Sequence, residues 1–250
     1  FVWAMGDDDL LMPQALKRVD ELLESNPDVD FFFVNSFHLD YKYIDKFQVP
    51  FDTKNLPETM EIKLGKKKIS QKLNFWELID HNISFDFLNG NFLNFFKRQM
   101  WMDNINCLDM NLVTDTRTWS NFDNTCGHNK VYANAFKDSK AYFCAEGLTV
   151  NGFGVREWAK LYPFIEIIRL PEILDYYRQK GMPLKRYLLN KNYALRNFTN
   201  YFFKILISGK SGGLQYVNLY KHVIKNIFYP NVYLSFIRFI IRKINKLIKI

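Results

Sequence analysis

Apolar positions recur with two different periods along this chain. Phe1 to Met5 is a short aromatic run of the kind that ends a buried strand. Gly6 and three consecutive carboxylates, Asp7, Asp8 and Asp9, follow it, and then Leu10-Leu11-Met12-Pro13. Pro13 suits the first turn of a helix, and Gln14 to Glu24 has helical spacing, with Ala15, Leu16, Val19, Leu22 and Leu23 on one side. Asp30 to Asn35 is continuously apolar in its middle, as a strand covered on both faces should be. The start of the chain therefore reads as strand, acidic tip, helix, strand.

Ser36 to Lys72 is a polar excursion, with Pro50, Pro57 and the run Lys66-Lys67-Lys68, and is expected to hold little regular structure. The lysine run reads as a solvated face, with a phosphate contact as the sharper alternative. Phe75 to Asn82 suits a short helix, and Phe92 to Arg98 an apolar element after the Asn89-Gly90-Asn91 turn. Trp119 to Asn129 is crowded with polar residues, and a helical pattern then runs to Phe136. Ala141 to Val150 has strand character, and Asn151-Gly152-Phe153-Gly154 reads as a flexible turn. Tyr162 to Tyr177 is helix-like, with breaks expected at Pro163 and Pro171. Pro183 opens a helical stretch to Ile207, Ser208 to Gly213 is a linker, and two helices, Leu214 to Tyr229 and Val232 to Ile250, complete the chain. Gly209-Lys210-Ser211 lacks the upstream glycine and buried strand of a phosphate-binding loop, so no nucleotide site is expected there.

Charge divides this pattern. Residues 1–175 carry all 26 acids against 19 Lys and Arg, a net −7, whereas residues 176–250 carry 15 Lys and Arg and no acid, a net +15. An imbalance of this size points to an anionic partner for the tail, a membrane surface or a nucleic acid. In the last helix Arg238, Arg242, Lys246 and Lys249 fall in one narrow sector, opposite Phe236, Phe239, Ile240, Ile241, Ile244, Leu247 and Ile248, while Lys243 at the edge has to snorkel. A basic amphipathic helix is the pattern of interfacial membrane binding; the plainer alternative is a core helix with a solvated face. No run approaches the ~18–20 apolar residues of a spanning helix. Three widely spaced cysteines, Cys107, Cys126 and Cys144, make neither a disulfide framework nor a zinc site, and a reducing compartment is the simpler expectation.

The sharpest chemistry is the acidic triplet. Three adjacent carboxylates at a strand end repel one another unless a cation binds, and hard oxygen ligands suit Mg²⁺ or Mn²⁺. Ligands of open α/β sheets sit at such strand ends. Asp7, Asp8 and Asp9 are therefore candidate metal ligands.

With its flanks, the segment Trp3-Ala4-Met5-Gly6-Asp7-Asp8-Asp9-Leu10-Leu11-Met12-Pro13 resembles the DXD region of family-two glycosyltransferases with a GT-A fold. The closest likeness is to the bacterial enzymes of O-antigen or lipooligosaccharide synthesis, including abequosyltransferase-like proteins. The resemblance implies an α/β chain: a partial GT-A domain over residues 1–178, followed by a mostly helical, basic, membrane-associating extension over 179–250. It implies that a nucleotide-binding half precedes the motif, so the chain is expected to be the later half of the catalytic domain. One of the three Asp would reach the donor's ribose, with Asp7 as the candidate. The Phe92–Arg98 segment matches the acceptor side loosely. Many relatives carry an acidic pair ahead of the later helix as general base. This chain has none there and offers Asp123, with His128 five residues on as assistant or substitute, and Asp115 as an outside candidate. Asn151-Gly152-Phe153-Gly154-Val155-Arg156-Glu157-Trp158 echoes the same subgroup. Arg156 there suits a bidentate diphosphate contact or, more plainly, an Arg156/Glu157 surface pair.

The expected activity is inverting, metal-assisted sugar transfer from a nucleotide-diphosphate sugar to a glycan or lipid-linked acceptor. Its place would be the cytoplasmic face of the inner membrane, held peripherally through residues 230–250. Two rivals stand beside it. A nucleic-acid-binding module would use the basic, aromatic tail but leaves the acidic motif without a role. An inactive, truncated transferase would act as a structural partner.

Overall fold

The computed structural model describes residues 1–6, 9–48, 50–62, 65–153 and 157–248. The chain is mixed α/β. Its contacts divide it into two units, Phe1–Asn106 with Val131–Arg156, and Cys107–Lys130 with Glu157–Ile250.

The first unit is built on a six-stranded mixed sheet: β1 (Val2–Trp3), β2 (Asp9–Leu11), β3 (Phe31–Asp40), β4 (Gln71–Asn74), β5 (Asn94–Phe96) and β6 (Lys140–Phe153). The order is β1-β5-β3-β6-β2, and β4 pairs with β6 on the same edge as β2. Among the described residues only β3 and β6 run parallel. Phe31, Phe32 and Phe33 are wholly buried, as the continuous apolar run predicts. Phe32 stacks on Phe95 at 4.6 Å, and Phe31 on Phe96 at 5.9 Å, so cross-strand aromatic pairs lock β3 to β5. The Ala15–Ser25 helix buries Ala15 and Leu22 against Val29, Phe32 and Leu148.

Three local expectations change. Asp9 opens a strand instead of ending an acidic loop, because Asp9-Leu10-Leu11 finds an antiparallel partner in Asn151-Val150-Thr149. For the same reason Asn151 to Phe153 continue β6 and do not form a turn. β3 runs on through Ser36 to Asp40, into the stretch read as irregular, because Thr149 to Phe153 pair with it.

In the second unit, Tyr162–Phe164 passes through a buried π-helical stretch, Ile165–Arg169, into the helix Leu170–Gln179. Pro163 and Pro171 do not break it. Pro163 lies in the first helical turn, where a missing N–H leaves no bond unmade, and Pro171 follows directly on the π-helical stretch. The expected Leu214–Tyr229 helix is instead three short pieces, Leu214–Tyr216, Leu219–His222 and Ile224–Asn226, with Asn218 capping the middle one through the Lys221 N–H.

The last helix, Pro230–Ile248, packs through Ser235 and Arg238 and through Phe239 of its apolar sector. Ser235 Oγ bonds both the backbone N–H and the hydroxyl of Thr199, Arg238 donates to the Arg196 carbonyl, and Phe239 stacks on Phe203 at 4.9 Å. Others of that sector point away: Phe236, Ile241 and Leu247 are 54%, 51% and 73% exposed. Among the described residues no helix is long and apolar enough to cross a membrane.

One buried carboxylate ties the helices of this unit together. Glu172 meets Arg169, Lys221 and His222. The Asn218 N–H donates to His222 Nδ1 at 3.0 Å, so Nε2 carries the proton it gives to Glu172. Burial pushes this carboxyl up, but the His222 bond and the charges of Arg169 and Lys221 outweigh it and hold it down at about 2, against an ordinary 4.5. A carboxylate depressed in the folded state stabilises fully above its unfolded value and loses that contribution as pH falls through the folded one. Urea unfolding should therefore show a loss on the order of 3 kcal/mol between pH 5 and pH 2 that is absent in Glu172→Gln; equal acid sensitivity in the two proteins would remove Glu172 from this role.

Candidate functional site

The first unit gathers polar residues into one row of its sheet. Asp9 on β2 lies opposite Asn151 on β6, and Asn151 lies opposite His38 on β3. Directly paired residues share a face, and residues two apart along a strand share it as well. Asp9, Asn151 and His38 therefore sit on one face, with Thr149 and Ser36 in the next row. Asn151 Nδ2 donates to Asp9 Oδ1 at 2.7 Å, and the Gly6 N–H donates to Asp9 Oδ2 at 3.3 Å. Both carboxylate oxygens thus have a fixed orientation at the start of β2.

Asp7 and Asp8 of the triplet, and Arg156, lie outside the described residues. Among the described residues no group of three or more His, Cys, Asp or Glu is arranged to hold a metal. What is described fits a hard cation by chemistry. The donors at hand are a carboxylate and an amide, and the Thr149 hydroxyl on the same face is buried with no hydrogen-bond partner among the described residues. Asn151 and His38 did not stand out in the sequence. Asn151 carried a signal, its place in the Asn-Gly-Phe-Gly-Val-Arg-Glu-Trp stretch, but that stretch reads locally as a turn. His38 carried none, since only sheet register brings it beside Asn151.

The second candidate stretch belongs to the other unit. The helix there is Phe122–Ala135, so Asp123 and His128 lie within it and not in a loop before it. At about 100° per residue, five residues set their side chains roughly 140° apart around the helix. They cannot serve one reacting atom together. Asp123 is 4% exposed, pairs with Lys130 one face-repeat along, and accepts the Asp109 N–H at 2.8 Å. His128 is partly exposed, with the Asn129 amide nitrogen 2.9 Å from Nε2. The Tyr177 hydroxyl donates to Asn129 Oδ1 at 2.6 Å, so a chain of bonds fixes the imidazole's neighbour.

Ahead of this helix Trp119 adopts φ of 62°, a left-handed conformation that is strained for a tryptophan. Arg169 holds it there: Nη2 donates to the carbonyls of Trp119 and Ser120 at 2.7 and 3.0 Å. Asp115 is bound by Arg117 and the Ser120 hydroxyl, which hold its carboxyl well below the usual range. It acts as an anchor of the loop. Cys107, Cys126 and Cys144 are free thiols, and burial pushes the Cys126 thiol up to about 12, far from a reactive thiolate.

Asp123→Ala would leave Lys130 without its carboxylate and the Asp109 N–H without its acceptor. Removing one partner of a buried pair costs about 3–5 kcal/mol, so chemical unfolding should show a loss of that order in Asp123→Ala; a loss below about 1 kcal/mol would mean that the pair is not part of the fold.

Compared with known proteins, the chain matches no protein-family model, and no curated protein is significantly similar to it.

Proposed function

We propose that this chain belongs to a metal-assisted, inverting GT-A glycosyltransferase that works on a membrane surface. The observation that carries the reading is the Asp9–Asn151 pair, which seats the last carboxylate of Gly-Asp-Asp-Asp-Leu-Leu-Met-Pro on a polar sheet face directly before a helix. Asp9, with Asp7 and Asp8, would hold Mg²⁺ or Mn²⁺, and Asp7 with Arg156 would contact the nucleotide-diphosphate donor. The cation, when bound, neutralises the charge that develops on the leaving diphosphate. Asn151 keeps Asp9 in one orientation, so little reorganisation accompanies donor binding. The acceptor hydroxyl of a glycan or lipid-linked sugar needs a proton acceptor. Of the two candidates read from the sequence, Asp123 has its carboxylate buried against Lys130 and is left to hold the helix, and His128 remains the candidate.

Mn²⁺ binding followed by electron paramagnetic resonance tests the metal independently of turnover. Asp9→Asn should weaken it by about tenfold or more and abolish sugar transfer. Undiminished Mn²⁺ binding and transfer in that variant would overturn the reading.

The last helix supports a membrane location, at the cytoplasmic face of a bacterial inner membrane. In its apolar sector Phe236, Ile240, Ile241, Ile244 and Leu247 are exposed, as are the flanking Arg238, Arg242 and Lys243, in a region without a single acid. An apolar exposed side is of no use to a nucleic-acid phosphate backbone, which disfavours that rival. Each basic residue near an anionic leaflet contributes about 1 kcal/mol, and the exposed isoleucines add interfacial burial. The protein should float with vesicles containing phosphatidylglycerol and be released by high salt. Phe236→Ser with Ile240→Ser and Ile244→Ser should abolish flotation without unfolding the helix. Flotation equal to the parent would remove this face from the interface.

A further inference from the structure

The second unit holds a cavity of about 620 Å³ that neither the acidic motif nor the His128 region uses. Four elements line it: the Phe122–Ala135 helix, the Leu170–Gln179 helix, the helix Leu184–Ala194 and the segment 221–229. Its walls combine cations with aromatic rings. Lys130, Lys191 and Lys221 are each matched by an acid, Asp123, Asp175 and Glu172. Lys191 is 5% exposed, donates to the Tyr187 hydroxyl at 3.1 Å and lies over the rings of Tyr187 and Tyr229. These pairs make a rigid frame.

Arg178 and Lys225 also line the cavity and have no carboxylate partner among the described residues. The interactions made by their charged ends are one Arg178 Nη1 bond to the Met182 carbonyl at 2.9 Å and the placing of Lys225 Nζ 5.3 Å from the Tyr220 ring centre. Two cations that line one cavity without a carboxylate partner among the described residues call for an anion, and a guanidinium fork with an ammonium suits phosphate oxygens.

The rim says what the anion is attached to. Along 219–229 the lining residues Lys221, Lys225 and Tyr229 are each preceded directly by an exposed apolar or aromatic residue, Tyr220, Ile224 and Phe228. Phe228 is 80% exposed. One short segment thus supplies both cavity-lining polar groups and exposed hydrocarbon, an amphiphilic pattern that matches a ligand with a phosphate head and an apolar tail.

We infer that this cavity is a binding site for a lipid phosphate, a terminal phosphate or diphosphate on an apolar chain, with Arg178 and Lys225 gripping the head and Ile224 and Phe228 contacting the tail. The site rests on the membrane association proposed above only for access to its ligand, and on nothing in the transferase reading.

Calorimetry on the full chain tests it with two soluble probes, inorganic pyrophosphate and dihexanoyl phosphatidic acid below its micelle concentration. Both should bind, the lipid more tightly. Arg178→Gln with Lys225→Gln, both at exposed positions, should weaken both probes by about tenfold or more, while Asp9→Asn leaves both unchanged. Phe228→Ser with Ile224→Ser should weaken only the lipid, down to the affinity of pyrophosphate. Parental affinity for both probes in the double Gln variant would overturn the site. Equal affinity of the two probes, with no effect of Phe228→Ser, would show a site for free phosphate and overturn the lipid assignment. Flotation of the double Gln variant with phosphatidylglycerol vesicles reports the last helix separately, so a failure of the membrane reading and a failure of the cavity give different results.

Discussion

The parallel pairing of β3 with β6 is the constraint from which the first unit follows. Parallel neighbours cannot be joined by a tight turn, so a long crossover must connect them. Here that crossover is the whole stretch from Tyr41 to Ser139, and it contains β4, β5 and the segment that joins the second unit. The pairing is not uniform. Its register shifts around Asn35, where Val34 faces Cys144 but Ser36 already faces Thr149. Beyond that irregularity His38, Asn151 and Asp9 come into one row. A slip of one residue would turn each polar side chain to the opposite face, so the same hydrogen bonds that hold the sheet also hold the candidate site.

The second unit solves a different problem, the folding of a region with fifteen cations and no acid. Self-repulsion on this scale opposes a compact state. Three carboxylates placed just before it supply the counter-charge. Glu166 pairs with Arg196, Glu172 with Lys221 and His222, and Asp175 with Lys191. Each joins the 166–175 stretch to a later helix or turn. A buried ion pair is weak as a source of net stability, because desolvation offsets attraction. It is strong as a specifier, because the wrong packing leaves a charge unmatched. Among the described residues Arg178, Lys225 and the last helix's Arg238, Arg242 and Lys243 are not matched by a carboxylate, which leaves them available to an anionic ligand or surface.

The last helix shows how one amphipathic pattern can be used in either direction. Burying the whole Ile and Phe side would give about 25 cal/mol for each Å² removed from water, yet the helix packs through Ser235, Arg238 and Phe239 and leaves Phe236, Ile240, Ile241, Ile244 and Leu247 exposed. Ser235 is small enough to bring the helix close to Thr199, and a paired hydroxyl contact satisfies both groups. The apolar side is left for a partner that water cannot replace.

Some of this was legible in the residues alone. The Phe31–Phe33 strand, the helix after Pro13, the strand from Ala141 and the segregated last helix all follow from local period and composition, because burial on one face or two writes itself into spacing. The divided charge was equally plain. What the chain could not show locally was pairing. Asp9 and Asn151 are 142 positions apart, and nothing within either segment says that a carboxylate at an apparent loop tip and an asparagine in an apparent turn are strand partners. Asp123 looks like an exposed acid before a helix until Lys130, Asp109 and the helix itself enclose it. The single helix expected from Leu214 breaks into short turns because the Asn218 N–H bonds His222, and His222 in turn bonds Glu172. In each case the sequence specified which elements could form and which side chains were polar. Only the tertiary structure decided which polar groups met, because such bonds form between segments whose proximity is created by the burial of others.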